Sequence, residues 1–310
     1  MSDHIPFRVR PMLATLARQP FDRPGWVHEE KYDGFHILAY KEGNRVTLLS
    51  RNAKDHTAAF PVVAEAVAYL GAKNLLLDGE VVAFDRRGVS CFQLLQELKS
   101  EPQYAVFDCL YRDGRDLRLQ PLTIRRAVLE TIVPEPSKKS APVLASAILA
   151  SNGLRAFELA KLNGYEGVVA KDKSAPYIEG RSNRWLKLKV HQEDEFIVVG
   201  YSAPAGARKH FGALLLGAYD QGKLQYVGKV GTGFTQASLA SLFRTLKPLV
   251  RKEPAVVNPP KEEDVTYLAP RTVCQVSYEE LTADRKLRQP VFLGLRDDKE
   301  PREVVLAEAK

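Results

Sequence analysis

A change of texture at about residue 191 constrains what this chain can fold into more than any other feature. Beyond His191-Gln192-Glu193-Asp194 the sequence breaks into short β-rich runs: Phe196 to Tyr201, Ala213 to Tyr219 and, after an Asp220-Gln221-Gly222 turn, Leu224 to Lys229. Further runs follow at Val273 to Tyr278 and Val304 to Ala307. One helical stretch, Gln236 to Val250, interrupts them, and the Pro- and charge-rich Lys252 to Asp264 reads as a loop. Short strands around a single helix predict a small Greek-key barrel of the OB type. Because 310 residues exceed the usual size of one domain, two are expected: residues 1–191, and the barrel over 192–310.

Ahead of the boundary, β-rich runs and helical patterns mix without any internal repeat. Residues 1–25 carry Pro6, Pro11, Pro20 and Pro24 and read as an extended lead-in laid on a domain surface. The patterning predicts strands from Trp26 to Glu30, Arg45 to Arg51, Leu75 to Phe84, Tyr104 to Tyr111 and Gly167 to Lys171. It predicts helices from Ala58 to Leu70, Phe92 to Leu98, Leu122 to Ile132 and Leu154 to Leu162, with a surface loop from Pro134 to Ser140. In Arg184 to Val190 basic and apolar residues alternate, so Trp185, Lys187 and Lys189 share one face of a strand, opposite Leu186 and Leu188. A face with two lysines is not ordinary core.

No run of about eighteen apolar residues exists to cross a membrane, and Met1 to Arg10 lack the features of a signal peptide. A cytoplasmic monomer is expected. Cys91, Cys109 and Cys274 form no CxxC pair, which argues for small buried hydrophobes over zinc ligands or a disulfide framework. A net charge of +7 and a pI of about 9.2 suit a polyanionic partner.

The chemistry gathers around Glu29-Glu30-Lys31-Tyr32-Asp33-Gly34, one lysine beside three carboxylates and ahead of a glycine. A protonated lysine cannot attack phosphorus. Partial burial, cationic neighbours or a metal must free its amine. By itself the stretch also reads as a polar turn after a short strand. Downstream, six stretches in order resemble the motifs of ATP-dependent DNA ligases, members of the covalent nucleotidyltransferase superfamily. They are Lys31-Tyr32-Asp33-Gly34, Ser50-Arg51-Asn52, Asp78-Gly79-Glu80, Val106-Phe107-Asp108, Glu166-Gly167-Val168-Val169 and Trp185-Leu186-Lys187-Leu188-Lys189.

The resemblance implies an α+β nucleotidyltransferase (adenylation) domain with antiparallel sheets, followed by an OB-fold β-barrel. Lys31 would capture AMP from ATP, Arg51 contact the nucleotide, Glu80 bind the ribose, Phe107 stack on adenine, Glu166 with Glu80 bind Mg2+ or Mn2+, and Lys187 and Lys189 hold the phosphate. Glu29, His36, Lys171 and Arg181 are assigned to the same nucleotide site. Leu295-Arg296-Asp297-Asp298-Lys299 resembles the RxDK motif that orients the leaving pyrophosphate, giving Arg296 and Lys299 catalytic roles. Val227 to Phe234 and Leu287 to Lys299 look especially like the ligase domain of bacterial non-homologous end-joining ligases. One departure is His36, where the family usually has arginine; a phosphate contact there is expected to be weakened or replaced.

Nucleotidyl transfer is mostly positioning and charge stabilisation. A basic cage of Arg51, Arg181, Lys187 and Lys189 would offset charge on the α-phosphate and help keep Lys31 deprotonated. Asp33 would either orient the Lys31 amine or reach the metal through water. Singly, each residue has a plainer reading: Phe107 as a core ring, Glu80 and Glu166 as solvated carboxylates, Arg296 and Lys299 as a solvated charge cluster. Only thirty residues precede Lys31, without the large helical DNA-binding domain of bigger ligases, so salt-sensitive binding to nicked double-stranded DNA and help from an end-binding repair protein are expected. The rival readings are an RNA ligase or capping-type guanylyltransferase, and a non-catalytic nucleic-acid-binding protein on the same frame.

Overall fold

Two units, Met1–Val190 and His191–Lys310, divide the chain in its computed structural model, which describes residues 5–17, 19–96, 100–133, 141–190, 192–204, 209–262 and 264–306. In the first unit the chain runs through β1 (Met12–Leu16), β2 (Trp26–Lys31), β3 (Phe35–Glu42), β4 (Arg45–Ser50), α1 (Pro61–Ala68), β5 (Asn74–Val82) and α2 (Phe92–Gln96). It continues through β6 (Gln103–Arg112), β7 (Arg115–Asp116), α3 (Leu122–Glu130), β8 (Val143–Ala145), β9 (Ile148–Ala150), α4 (Gly153–Asn163), β10 (Gly167–Asp172) and β11 (Gly180–Lys189). Two sheets result, ordered β1-β11-β10-β2-β9 and β4-β3-β5-β6-β7, with β8 added beside β6. Their pairings are antiparallel except at β1 with β11 and β6 with β8.

Among the described residues, buried apolar clusters line both sheets of this unit. Ile37, Leu48, Leu75 and Leu77 pack on one side of the second sheet with Val63 and Val67 of α1, Phe92 of α2 and Leu129 of α3. Leu38, Tyr40, Leu76, Leu110, Tyr177 and Trp185 form a layer drawn from both sheets. Ala156 and Ala160 of α4 cover Val168 and Leu188 on the far side of the first sheet. Each fully buried aliphatic side chain contributes roughly 1.5–3 kcal/mol. Helix α4 starts where the Asn152 side chain accepts from Arg155 N–H and stops at Gly164, whose φ of 74° lies in the left-handed region.

Several expectations need correction. The lead-in is not merely laid on the surface, because Met12–Leu16 adds a parallel edge strand to β11. Strand β3 has no counterpart in the sequence reading: as a central strand it is buried on both faces, which erases the alternation that marks a half-exposed one. The loop expected at 134–140 and the end of the helix expected at Leu98 lie outside the described residues.

The second unit is built on β12 (Gln192–Ser202), β13 (Leu214–Asp220), β14 (Lys223–Val230), α5 (Gln236–Leu246), β15 (Val250–Arg251), β16 (Val265–Tyr278), β17 (Glu280–Leu281), β18 (Leu287–Arg288) and β19 (Val291–Leu295). The sheet runs β14-β13-β12-β16-β15, and β19 pairs with β16. Thr232, just past β14, bridges Val291 of β19, which brings the first edge to the last and closes the OB-type barrel. Its core includes Phe196, Val198, Leu216, Val227, Leu242 and Val273. The predicted helix ends at Leu246 and continues as a 3-10 turn over Lys247–Leu249 containing Pro248. The strand expected from Val304 to Ala307 is instead a single bridge from Val305 to Tyr219, after a 3-10 turn at Pro301–Glu303, and Ala307 is outside the described residues.

Candidate functional site

The motif residues of the first unit that lie on strands meet on the facing sides of its two sheets. Directly paired strand residues point the same way. Lys31 pairs with Gly167 and Gly167 with Lys189, Glu29 with Val169 and Val169 with Lys187, and Lys171 with Trp185. Glu29, Lys31, Lys171, Trp185, Lys187 and Lys189 therefore share a face. On the other sheet His36 pairs with Glu80. Asp78 pairs with Asp108 and Gly79 with Val106, so Phe107 is the extra residue of a β-bulge. The half-buried Phe107 ring packs edge-on against Trp185 at 5.7 Å and His36 at 5.6 Å between centroids. This puts the ring between the two sheets, not in the helix-covered core.

Two motif glycines are there because backbone passes too close for a side chain. A Cβ at Gly34 would sit 2.1 Å from the Val81 carbonyl oxygen, and one at Gly167 2.0 Å from that of Leu188. Gly34 thus lets β3 leave the turn after Lys31 against β5, and Gly167 lets β10 lie tight between Lys31 and β11.

Lys31 Nζ donates to Glu166 Oε2, across adjoining ends of β2 and β10. Burial pushes the amine's pKa down, but the carboxylates of Glu166, Asp33 and Glu80 outweigh it and hold Lys31 above the ordinary lysine value. The groups acting most strongly on the amine charge are therefore carboxylates. Asp33 Oδ2 accepts the Phe92 N–H at 3.0 Å while its own N–H donates to Ser90 Oγ at 3.0 Å, fastening the turn after Lys31 to the start of α2.

Glu29 is not an open ligand. Its Oε1 accepts from Arg126 Nη1 at 2.9 Å, and its Oε2 from Lys171 Nζ at 2.7 Å and Ser146 Oγ at 2.9 Å. Lys171 is almost wholly buried, with Nζ 4.4 Å from the ring centroids of both Phe107 and Trp185. Burial lowers its pKa, and Glu29 only partly offsets this. His36 Nε2 lies 2.6 Å from Asp78 Oδ1, and Asp78 Oδ2 accepts from Tyr177 O–H at 2.7 Å, which anchors the histidine to a buried carboxylate. Arg51 stands in the turn after β4. Arg181 is exposed and donates to the Ala14 carbonyl at 3.0 Å, at the outer strand pairing of the sheet.

Sequence reasoning missed Arg125, Arg126 and Tyr177, and quoted Asp298 in the RxDK motif without giving it a role of its own. Arg125 is fully buried and bidentate to Asp108 at 2.8 Å through Nε and Nη2. Its only sequence signal is a charge at the apolar spacing between Leu122 and Leu129. In the second unit Arg296 is no solvated charge. It is buried, bidentate to Asp298 at 2.8 and 2.9 Å, and donates to Gln275 Oε1 at 2.8 Å. Burial works against the Asp298 carboxylate, but Arg296 and Lys299 hold its pKa below the usual range. Lys299 Nζ lies 3.3 Å from Glu195.

Among the described residues no cluster of three His, Cys, Asp or Glu side chains forms a ready-made metal centre. Glu166 and Glu80, both acting on the Lys31 charge, are carboxylates of the kind that would suit a hard divalent cation. Also among the described residues, no helix is long and apolar enough to cross a membrane.

The family model for the ATP dependent DNA ligase domain matches residues 11–189, and that for the ATP dependent DNA ligase C terminal region matches 207–299. The chain is 41% identical over 311 residues to the multifunctional non-homologous end joining protein LigD of Pseudomonas aeruginosa, covering 97% of this chain but 37% of that protein. It is similar to a mycobacterial DNA ligase D structure complexed with ATP and MES, at 34% identity and a TM-score of 0.73, covering 97% of this chain and 99% of that one. The ligase domain of Mycobacterium tuberculosis LigD follows at 33% identity and a TM-score of 0.54, covering 98% and 100%.

Proposed function

This chain belongs to the ATP-dependent DNA ligase family, and from that premise we propose that it seals nicks in double-stranded DNA through a covalent AMP on Lys31. The observation that carries the reading is the pairing of Lys31 with Glu166 on a sheet face shared with Lys187 and Lys189. Lys31 Nζ, once its proton has left, bonds to the α-phosphorus of ATP as the bond from that phosphorus to pyrophosphate oxygen breaks. The 5′-phosphate of a nick then displaces Lys31 from the same phosphorus. Attack by the 3′-hydroxyl on the 5′-phosphate finally expels AMP.

In this reading Lys187 and Lys189 offset phosphate charge, Phe107 offers the adenine a ring face, and Asp33 fixes the direction of Lys31 by tying its turn to α2. Glu166 and Glu80 would hold a Mg2+ or Mn2+ ion, which supplies charge neutralisation on the phosphates. In the second unit the Arg296–Asp298 pair braces the RxDK motif that presents Lys299. Similarity to a protein described as acting in non-homologous end joining supports a role in DNA repair. A cytoplasmic monomer that cooperates with an end-binding repair protein completes the proposal.

The test is the intact mass of the protein before and after incubation with ATP, with Lys31→Ala beside it. The wild type is expected to gain one AMP and Lys31→Ala none. A gain from GTP in preference to ATP would support a capping-type enzyme, and sealing of nicked RNA but not DNA an RNA ligase. Wild-type labelling of Lys31→Ala would refute the nucleophile.

A further inference from the structure

We infer that Arg126 of α3 is a positioning residue for the nucleotide base: through Glu29 it sets where the Lys171 ammonium stands on the aromatic floor of the cleft. The inference rests on the reading above, that the cleft takes ATP. Its starting point is one buried anion shared by two cations. Side-chain exposure is 3% for Glu29, 2% for Lys171 and 14% for Arg126, so each oxygen of the Glu29 carboxylate needs a partner inside the protein. Arg126 supplies one for Oε1, while Lys171 and Ser146 supply those for Oε2. Arg126 is itself fixed by the Ser146 carbonyl, to which Nη2 donates, and by Glu130 at 3.0 Å.

Lys171 carries three donors. One goes to Glu29; the ammonium also lies against the Phe107 and Trp185 rings, and its remaining donor capacity can serve a purine ring nitrogen in a base laid on Phe107. Without Arg126, Glu29 Oε1 would be left buried and unpaired. The carboxylate would turn both oxygens toward Lys171 and draw the ammonium off the rings. Lys31, held by Glu166, belongs to a separate pair, so the damage should fall on binding of the base and not on the reaction at phosphorus.

The experiment follows the rate of lysyl-AMP formation against ATP concentration in the wild type, Arg126→Gln, Arg126→Lys, Lys171→Met and the Arg126→Gln/Lys171→Met double variant. Loss of a charge-assisted hydrogen bond predicts that Arg126→Gln raises KM for ATP about tenfold, while kcat stays within about twofold because binding alone is affected. Arg126→Lys should show a smaller rise in KM, and the double variant should bind ATP no worse than Lys171→Met alone. A wild-type KM in Arg126→Gln, a loss confined to kcat, or additive effects in the double variant would overturn the positioning role. If Arg126→Gln does not fold, Arg126→Lys decides: raised KM at near-constant kcat supports the inference and a wild-type KM removes it. Failure of the wild type to form lysyl-AMP would instead bring down the ligase reading, and this inference with it.

Discussion

His28 sits on β2 three residues before Lys31, fully buried on the α4 side of its sheet, with the Phe21 ring 6.0 Å away and Gly153 against its imidazole. Burial lowers its pKa below 6.5, and the Asp22 carboxylate and Ala150 backbone offset only part of that. With the folded pKa depressed, the unfolded chain binds more protons below pH 6.5, so stability is full above that value and falls as pH drops toward the folded pKa. Replacing His28 by Asn should flatten the fall in stability below pH 6.5 by up to about 1.4 kcal/mol per pH unit, measured by urea unfolding at a series of pH values below 6.5. An unchanged acid-side slope would contradict the assignment. The same scale explains what the sequence could reveal about the site. Lys31, Phe107 and Glu166 stand out as candidates in the sequence because each sits in a short local motif. Arg126 was not, because its partner Glu29 is 97 positions away and an arginine on a helix looks solvated until the sheet beneath it is known.

Strands β2, β10 and β11 act together as the platform that aligns Lys31, Lys187 and Lys189, and their spacing depends on the absent side chain at position 167. A Gly167→Ala methyl would meet the Leu188 carbonyl at 2.0 Å, and backbone cannot move aside as a flexible side chain can. The strands must part or shift register, at a cost of about 1–3 kcal/mol. The expected result is a lower denaturant midpoint together with a loss of lysyl-AMP formation larger than the stability loss alone accounts for. A variant with wild-type labelling would show that the platform tolerates the shift. Elements with a clear period, such as β2, β6 and α4, were legible in the sequence. Strand β3 was hidden by burial on both faces, and β1 by prolines that suggested an unpaired lead-in. The pairing of β1 with β11 spans more than 160 residues, and only the fold supplies it.

At the scale of the molecule, the excess of seven positive charges sets how the protein meets its proposed substrate. Each phosphate neutralised by Lys or Arg releases counterions, and affinity falls with salt in proportion to the number of such contacts. Basic residues are not all available for this: Arg125 and Arg296 are buried in bidentate pairs with Asp108 and Asp298. Such pairs would cost about 3–5 kcal/mol to break, so they stay closed when DNA binds. The exposed remainder, including Arg155, Arg184, Arg244 and Lys252, supplies the field. If the exposed cations neutralise about six phosphates, affinity for a nicked duplex should weaken on the order of 10³-fold between 50 and 200 mM salt, measured by fluorescence anisotropy with a labelled nick. Lysyl-AMP formation, which needs no DNA, should lose far less over the same range, because the charges around Lys31 are mostly buried and screened weakly. A salt dependence of equal steepness in both measurements would mean that salt acts on the nucleotide site and not on the exposed surface.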